Sequence, residues 1–135
     1  MAEEATPSIG KTVLIVDDDS FLLDMYAMRF TQAGFSVHTA VSAAQTIEKL
    51  KEGLVPDVML LDVVMPATDG FELLEQINQQ ELATKTVKIY LSNLSQEQDL
   101  ARGKSLGAAS YIVKANNTPS EVVAHVLEVM KQHGL

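Results

Sequence analysis

Four apolar runs of the sequence each stop at a side chain that can do chemistry. The runs and the residues that end them are 13–16 with Asp17, 58–61 with Asp62, 87–91 with Ser92, and 111–113 with Lys114. The carboxyl ends of parallel strands meet at one edge of a sheet, and α/β folds bind their ligands there. If the runs are parallel strands, two carboxylates, a hydroxyl and an ammonium group therefore share one site.

Carboxylates dominate this predicted site, because Asp18 and Asp19 follow Asp17 directly. Clustered carboxylates repel one another and raise each other's pKa, and a hard cation relieves that repulsion. Two or three carboxylates together with water suit Mg²⁺. The alternative is that the acidic run only caps the first helix, a task that we expect Ser20 or Asp19 to perform. Capping does not require Asp62 at the equivalent point of another strand, so the pattern favours a magnesium site.

A carboxylate beside Mg²⁺ can also attack phosphorus and form an aspartyl phosphate. Phosphoryl transfer needs positioned groups that neutralise the equatorial oxygens of the transferred group. Besides the cation, Lys114 and Ser92 can supply such groups, and Asp62 is the best nucleophile because its strand is central. Two alternatives stay open, namely a solvated surface lysine at 114 and a loop residue at 92, since Ser92-Asn93 also suits a turn.

Short apolar runs alternate with helical patterns along the chain. The predicted strands are 12–16, 35–40, 57–61, 87–91 and 109–113, whose Val, Ile and Leu content is typical of parallel strands covered on both faces. Capping boxes predict helix starts at Ser42…Gln45, Asp69…Glu72, Ser95…Gln98 and Thr118…Glu121. Since crossovers between parallel strands are right-handed, we expect an α/β fold with a doubly wound five-stranded sheet and helices on both faces.

Composition limits the classes of function. The chain has 135 residues, a net charge of −8 and no cysteine. Thiol chemistry is therefore excluded, and direct nucleic-acid binding, which needs a basic surface, is not expected. Residues 1–10 are predicted to form a flexible tail and residues 11–135 a single domain. No apolar run approaches the roughly 20 residues that span a bilayer, so we expect no membrane insertion and a cytoplasmic location.

Over about residues 11–130 the sequence resembles the receiver domain of bacterial response regulators, the phosphate-accepting part of two-component signalling. The motifs are Val16-Asp17-Asp18, Pro56-Asp57 with Asp62, Met65-Pro66 with Asp69-Gly70, Ser92 after the fourth strand, and Tyr111 with Lys114. Each motif alone is weak, and the resemblance depends on their order and spacing. It implies a flavodoxin-like fold with strand order 2-1-3-4-5 and a stand-alone regulator similar to those of chemotaxis.

The resemblance implies a role for each matching residue. Asp62 would be the phosphoacceptor and a metal ligand, and Asp18 a direct Mg²⁺ ligand. Asp17 would act mostly through water, and Val64 would contribute its backbone carbonyl. Lys114 would pair with the phosphate.

Ser92 and Tyr111 stand at the switch positions of the family. The Ser92 hydroxyl would move to a phosphoryl oxygen, and Tyr111 would then turn inward. For Tyr111 the alternative is an aromatic side chain that is simply packed in the core.

Two positions near the predicted phosphate depart from the family pattern. Lys114 is followed by Ala115, where the family usually has a proline joined by a cis bond. A cis bond to a non-proline residue costs about 3–4 kcal/mol, so we expect a trans bond and a rearranged loop at 114–118. Asn93 stands where a small residue is usual, and its amide is expected to shield or contact the phosphate.

Val64 and Leu94 are expected to tune the lifetime of the phosphate. They lie two residues beyond Asp62 and Ser92 and would flank the path of an attacking water. Neither apolar side chain can orient that water by a hydrogen bond, so we expect slow autodephosphorylation.

These residues predict a protein that takes a phosphoryl group onto Asp62 from a sensor histidine kinase or a histidine phosphotransfer protein. It would catalyse only its own phosphorylation and dephosphorylation, and otherwise not be an enzyme. Phosphorylation would alter the surface 95–131 for an unidentified target protein or for phosphorelay. The chain is expected to be a monomer or weak dimer.

Three other functions fit the same fold class. A flavodoxin-like FMN carrier needs a glycine- and hydroxyl-rich phosphate cradle after the first strand, where the acidic run would repel phosphate. A phosphatase with an aspartyl nucleophile would carry a second Asp at position 64, which is Val64. The serious rival is a receiver-like interaction module that is never phosphorylated, and a phosphorylation assay separates the two.

Overall fold

The computed structural model describes residues 7–135, and residues 1–6 of the predicted tail lie outside the described residues. The strands are β1 (Thr12–Val16), β2 (Ser36–Ala40), β3 (Val58–Leu61), β4 (Val87–Ser92) and β5 (Ser110–Val113). The helices are α1 (Ser20–Gln32), α2 (Ala43–Lys51), α3 (Gly70–Gln79), α4 (Glu97–Ser105) and α5 (Pro119–Gln132), and a 3-10 turn occupies Lys114–Asn116. Strand bounds agree with the sequence prediction to within one residue.

All neighbouring strands are parallel, in the order β2-β1-β3-β4-β5. This confirms the predicted doubly wound sheet. Val13 and Ile15 of β1 pack in the core layer that contains residues of α1 and α5, whereas Leu14 and Val16 pack in the layer that contains residues of α2 and α3. Successive side chains of a strand point to opposite faces, so both faces are covered by helices. The inner strands are therefore apolar at consecutive positions.

Helix starts mostly follow the capping pattern of the sequence. Reciprocal capping boxes are present at two predicted places, Asp69 with Glu72 and Thr118 with Glu121. Asp19 caps α1 and accepts from two backbone N–H groups of its first turn. At α2, the Ser42 hydroxyl accepts from the Gln45 N–H as predicted, but the Gln45 side chain accepts from the Val41 N–H and not from that of Ser42.

The capping box predicted at Ser95…Gln98 is wrong. Gln96 is the residue that precedes α4, and its backbone N–H donates to the Asp99 carboxylate at 3.1 Å. A carboxylate makes a stronger, charge-assisted hydrogen bond than a neutral amide oxygen. Asp99 therefore defines the start of α4, one residue later than Ser95 would have set it.

The last helix packs as its pattern predicts. Its buried residues are Val122, Val123, Val126, Val129 and Met130, and they lie in the same core layer as Val13 and Ile15. Among the helices of residues 7–135, none combines the length and the apolar character needed to cross a membrane.

Candidate functional site

Strand register brings Asp17 and Asp62 side by side at the carboxyl edge of the sheet. Val16, the last residue of β1, is paired with Leu61, the last residue of β3. The Asp62 N–H continues this ladder and donates to the Val16 carbonyl at 2.9 Å. Two residues 45 positions apart in sequence therefore begin their loops at the same level.

The same register brings the other two chemical residues to this edge. Ser92 ends β4 and is paired with Val113, the last residue of β5. Lys114 follows directly and begins the 3-10 turn. The side chain of Lys114 then crosses the carboxyl ends of the central strands to reach Asp17.

Three carboxylates meet at this edge. Asp17 and Asp62 are buried, with 2% and 7% of their surface exposed, while Asp18 is exposed to solvent. One oxygen from each carboxylate lies within 4.8 Å of the others. Asp17 Oδ1 accepts from the Asp19 N–H at 2.9 Å and Asp62 Oδ1 accepts from the Val63 N–H at 2.8 Å. These bonds leave Oδ2 of each buried carboxylate for other partners.

Lys114 bridges the two buried carboxylates. Its Nζ donates to Asp17 Oδ2 at 2.7 Å and lies 3.5 Å from Asp62 Oδ2. The lysine side chain is only 10% exposed, which excludes the alternative of a solvated surface lysine. Each of these charges loses hydration on burial, and the attraction between the ammonium and the two carboxylates offsets part of that cost.

The protonation equilibria reflect this crowding. Burial raises the pKa of Asp62 to about 6, and the charges on Asp17 and Asp18 add to the rise, while Lys114 and the Val63 N–H oppose it. Burial by itself would lower the pKa of Lys114, but the hydrogen bond to Asp17 and the charges of Asp62 and Asp17 raise it above its ordinary value. The site thus contains more negative charge than its single lysine neutralises.

The donor set fits a hard divalent cation. The contributing atoms are carboxylate oxygens, the ligands that Mg²⁺ prefers, and Asp18 leaves the cluster open to water. Oxygens around one Mg²⁺ lie about 3–4 Å apart, given metal–oxygen distances of about 2.1 Å. The three carboxylates, with oxygens within 4.8 Å of one another, are close enough to share one such ion, directly or through its water molecules.

Ser92 and Tyr111 belong to the neighbouring strands β4 and β5. Ser92 is fully buried, and its hydroxyl accepts from the Leu94 N–H at 3.3 Å. The Tyr111 ring lies 5.7 Å from that of Tyr90, and its hydroxyl is buried without a hydrogen bond of regular geometry. Burial raises the pKa of Tyr111, and the nearby Ser92 hydroxyl opposes the rise.

The residues that were expected to contact the phosphate or to tune its lifetime are exposed to solvent. Val64 is 60% exposed and Leu94 is 37% exposed. The side-chain oxygen of Asn93 accepts from the Ala115 N–H at 2.9 Å. Within residues 7–135 every peptide bond is trans, including the bond between Lys114 and Ala115, as predicted.

Two residues to which the sequence analysis gave no role support the site. Gly70 begins α3 directly against the Asp62 loop, and a Cβ at Gly70 would lie 2.1 Å from the Asp62 carbonyl oxygen. Tyr90, fully buried in β4, donates its hydroxyl to the Gly70 carbonyl at 3.1 Å. The Asp69-Gly70 motif pointed to Gly70. The apolar run that contains Tyr90 does not indicate which group its hydroxyl binds.

Comparison with known families gives one consistent result. Residues 13–127 match the family described as response regulator receiver domain. The chain is 32% identical over 126 residues to the phosphate regulon transcriptional regulatory protein PhoB of Pseudomonas aeruginosa, covering 93% of this chain and 54% of that protein. It is 31% identical to the alkaline phosphatase synthesis transcriptional regulatory protein PhoP of Bacillus subtilis, covering 92% and 50% respectively. The chain therefore spans about half the length of these relatives.

Solved structures give the same fold. A CheY-like response regulator receiver domain protein from Methanospirillum hungatei superposes with a TM-score of 0.81 at 26% identity, covering 90% of this chain and 94% of that one. The chemotaxis protein CheY4 of Vibrio cholerae superposes with a TM-score of 0.81 at 27% identity, covering 88% and 98% respectively.

Proposed function

This chain belongs to the response regulator receiver domain family of two-component systems, and on that premise we propose that Asp62 accepts a phosphoryl group and that residues 11–135 form the accepting domain. The observation that supports this most strongly is the bridging position of Lys114 between Asp17 and Asp62. It holds an ammonium beside the one carboxylate that ends the central strand, where the charge of an incoming phosphoryl group would need neutralisation.

The chemistry proposed for Asp62 is nucleophilic attack on phosphorus. An Asp62 carboxylate oxygen forms the new O–P bond while the bond from phosphorus to the donor nitrogen or oxygen breaks, and the leaving group keeps that electron pair. The nucleophile must be ionised, and a pKa of about 6 leaves Asp62 mostly ionised at neutral pH. The Lys114 ammonium would then transfer part of its interaction from Asp62 to the phosphoryl oxygens.

Asp17, Asp18 and Asp62 would hold a Mg²⁺ ion together with the Val64 carbonyl. When bound, the ion would neutralise charge on the transferred phosphoryl group. Asp18, the exposed member, would face water and incoming ligand, whereas Asp17 is engaged by Lys114 and by the Asp19 N–H. Their unequal surroundings support the division in which Asp18 ligates directly and Asp17 through water.

Ser92 and Tyr111 are proposed to carry the signal away from the site. Ser92 makes one weak hydrogen bond, 3.3 Å long, to the neighbouring Leu94 N–H. Its hydroxyl therefore loses little when it turns towards a phosphoryl oxygen. Tyr111 lies beside α4 and lines a groove of about 370 Å³ with Leu100, Gly103, Lys104, Ala108, Ala109 and Ser110.

That groove lies within the surface 95–131, which we propose as the output surface. A shift of Ser92 and Tyr111 would bias the packing of α4 against β5, where Gly103 is the one buried residue of α4. An element with so small a buried face is easily moved. The partners would be a histidine kinase or a histidine phosphotransfer protein upstream and a target protein downstream, in the cytoplasm, with the chain a monomer or weak dimer.

Radiolabelled acetyl phosphate with Mg²⁺ tests this proposal directly. We expect label on the wild-type chain and none on Asp62→Ala. Asp57→Asn is a matched control, because Asp57 precedes the opposite end of the same strand and the amide keeps an oxygen for the Thr12 N–H. If the wild type took no label under these conditions, the result would support the phosphorylation-independent interaction module. If Asp62→Ala were labelled as strongly as the wild type, the phosphoacceptor would be a residue other than Asp62.

A further inference from the structure

The proposed role of Lys114 depends on the backbone from which its side chain extends. Lys114 is the first residue of the 3-10 turn, and its ammonium must stay beside Asp17 and Asp62. Other bonds of this turn are local: the Asn117 N–H donates to the Lys114 carbonyl at 3.3 Å, and the Asn117 side chain donates to the Val113 carbonyl at 2.9 Å. Local bonds keep the shape of the turn but do not hold it against the rest of the site.

Among the hydrogen bonds of the described residues, one ties the backbone of this turn to the loop that follows β4. The Ala115 N–H donates to the Asn93 side-chain oxygen at 2.9 Å, across 22 positions of sequence. The first N–H groups of a helical turn have no partner inside the turn. Val113, which precedes the turn, has no polar side chain to accept from them. Asn93 therefore supplies the missing acceptor from a neighbouring loop.

Asn93 is itself held by the sheet. It follows Ser92, which is fully buried and paired with Val113 across the β4–β5 ladder. It precedes Leu94, whose N–H is bound by the Ser92 hydroxyl. The residue is exposed to solvent, while its backbone continues directly from the β4–β5 ladder, and a carboxamide that extends from the end of a sheet can serve as an anchor.

We propose that Asn93 is a positioning residue for Lys114. By accepting from the Ala115 N–H, its carboxamide holds the turn in the place from which the Lys114 ammonium reaches Asp17 and Asp62. This inference rests on the proposed phosphorylation of Asp62. It goes beyond the expectation that the Asn93 amide shields or contacts the phosphate: Oδ1 is engaged by the Ala115 N–H, and only the Nδ2 amino group remains to donate to a phosphate oxygen.

The test compares Asn93→Ala with Asn116→Ala. Asn116 is an exposed asparagine of the same turn, and its side chain makes no hydrogen bond within residues 7–135. With acetyl phosphate and Mg²⁺, we expect Asn93→Ala to be phosphorylated about two- to tenfold more slowly than wild type, the range that one net hydrogen bond represents. Asn116→Ala should keep the wild-type rate, and the Mg²⁺ affinity of both variants, measured by calorimetry, should equal that of the wild type.

Two further readouts separate positioning from a general structural role. Hydrogen exchange at the Ala115 amide should be faster in Asn93→Ala and return to the wild-type rate in Asn93→Asp, which keeps an acceptor oxygen. In a Lys114→Ala background, Asn93→Ala should cause no additional loss of phosphorylation rate, because the group it positions is absent.

The outcomes distinguish this inference from the proposed function. A wild-type chain that takes no label overturns the proposed function, and this inference with it. If the wild type is labelled and Asn93→Ala is phosphorylated at the same rate, only the positioning role is overturned. The positioning role would also be overturned if Asn93→Ala lowered the phosphorylation rate further in the Lys114→Ala background. A weaker Mg²⁺ affinity in Asn93→Ala would overturn it as well, because Asn93 would then act on the metal site.

Discussion

The Lys114 ammonium lies 2.7 Å from Asp17 Oδ2, and the two side chains are 10% and 3% exposed. Their residues are separated by 97 positions and belong to the first and the last loops at this edge of the sheet. The same Nζ lies 3.5 Å from Asp62 Oδ2. One buried cation facing two buried anions and a third, exposed carboxylate leaves an excess of negative charge. That excess determines how the site should respond to pH, to divalent ions and to substitution.

The pH dependence of the free energy of unfolding should show how much the ionised, buried Asp62 carboxylate destabilises the folded chain. Its pKa is about 6 in the folded chain against an ordinary value of 3.8. At Asp62 the folded state therefore binds a proton more readily than the unfolded chain, and the contribution of this group to stability falls as pH rises from about 4 to about 6. Asp62→Asn removes this cost, so in metal-free buffer it should raise the free energy of unfolding by up to roughly 3 kcal/mol above pH 6 and by little below pH 4. Urea unfolding at several pH values measures the difference.

Asp24→Asn provides the control for that measurement, since Asp24 is an exposed carboxylate on α1. Its substitution should leave the pH profile of the wild type in place. A gain from Asp62→Asn that stays constant between pH 4 and pH 8, or a loss at every pH, would contradict the assigned cost of burial.

Mg²⁺ should stabilise the wild-type chain but not Asp18→Ala. Asp18 is exposed, so its removal leaves the core intact and only takes one carboxylate from the cluster. At an ion concentration about 100 times the dissociation constant, binding should add about 2.7 kcal/mol to the free energy of unfolding of the wild type. Thermal unfolding with and without Mg²⁺ measures this, and Asp24→Asn should respond as the wild type does. Equal stabilisation of Asp18→Ala would remove Asp18 from the ligand set.

Gly70→Ala should be strongly destabilising. A Cβ there would lie 2.1 Å from the Asp62 carbonyl oxygen and 2.9 Å from the Val63 Cα, both backbone atoms that cannot rotate away. The expected loss exceeds about 2 kcal/mol in the free energy of unfolding, with slower phosphorylation because the Asp62 loop must shift. Denaturant unfolding provides the measurement.

Gly103→Ala is the contrasting variant. Its Cβ would meet ring atoms of Tyr90 at 3.0 Å and 3.2 Å, and alanine within a helix gains up to about 1 kcal/mol over glycine. These effects oppose each other, so the stability should stay within about 1 kcal/mol of wild type. If both glycine variants lost stability equally, the close approach of α3 to the Asp62 loop would not be the reason.

Autodephosphorylation should be slow, and Val64→Glu should accelerate it. The Val64 side chain is exposed. It would flank the proposed path of water to the phosphoryl group, and an apolar side chain cannot orient that water. A carboxylate at this position can accept a hydrogen bond from the water, and we expect the aspartyl phosphate lifetime to fall by about tenfold or more. Loss of radiolabel over time measures the lifetime.

Val55→Glu makes the same substitution at a similarly exposed valine, just before β3 at the opposite edge of the sheet. It should leave the lifetime unchanged. A wild-type phosphate that disappears within seconds, or equal acceleration by both glutamates, would contradict the role given to Val64.

Much of the fold followed from local rules. Apolar runs without alternation predicted parallel strands covered on both faces, and the structure has them within one residue of the expected bounds. The exception at α4 is instructive, because the capping pattern pointed to Ser95, whereas the charged Asp99 carboxylate binds the N–H of Gln96 and the helix starts one residue later. Local competition of this kind depends on hydrogen-bond strengths that a capping pattern does not rank.

The sequence by itself determined the residues that converge. Asp17, Asp62, Ser92 and Lys114 each follow an apolar run, and parallel strands bring their carboxyl ends to one edge whatever the side-chain packing. The tertiary structure alone decided which of them touch. Lys114 pairs with Asp17 as well as Asp62, and Asn93 binds Ala115, because loops from different strands meet at distances that are set by register and sheet twist. Those distances connect residues far apart in the chain, and no local pattern records them.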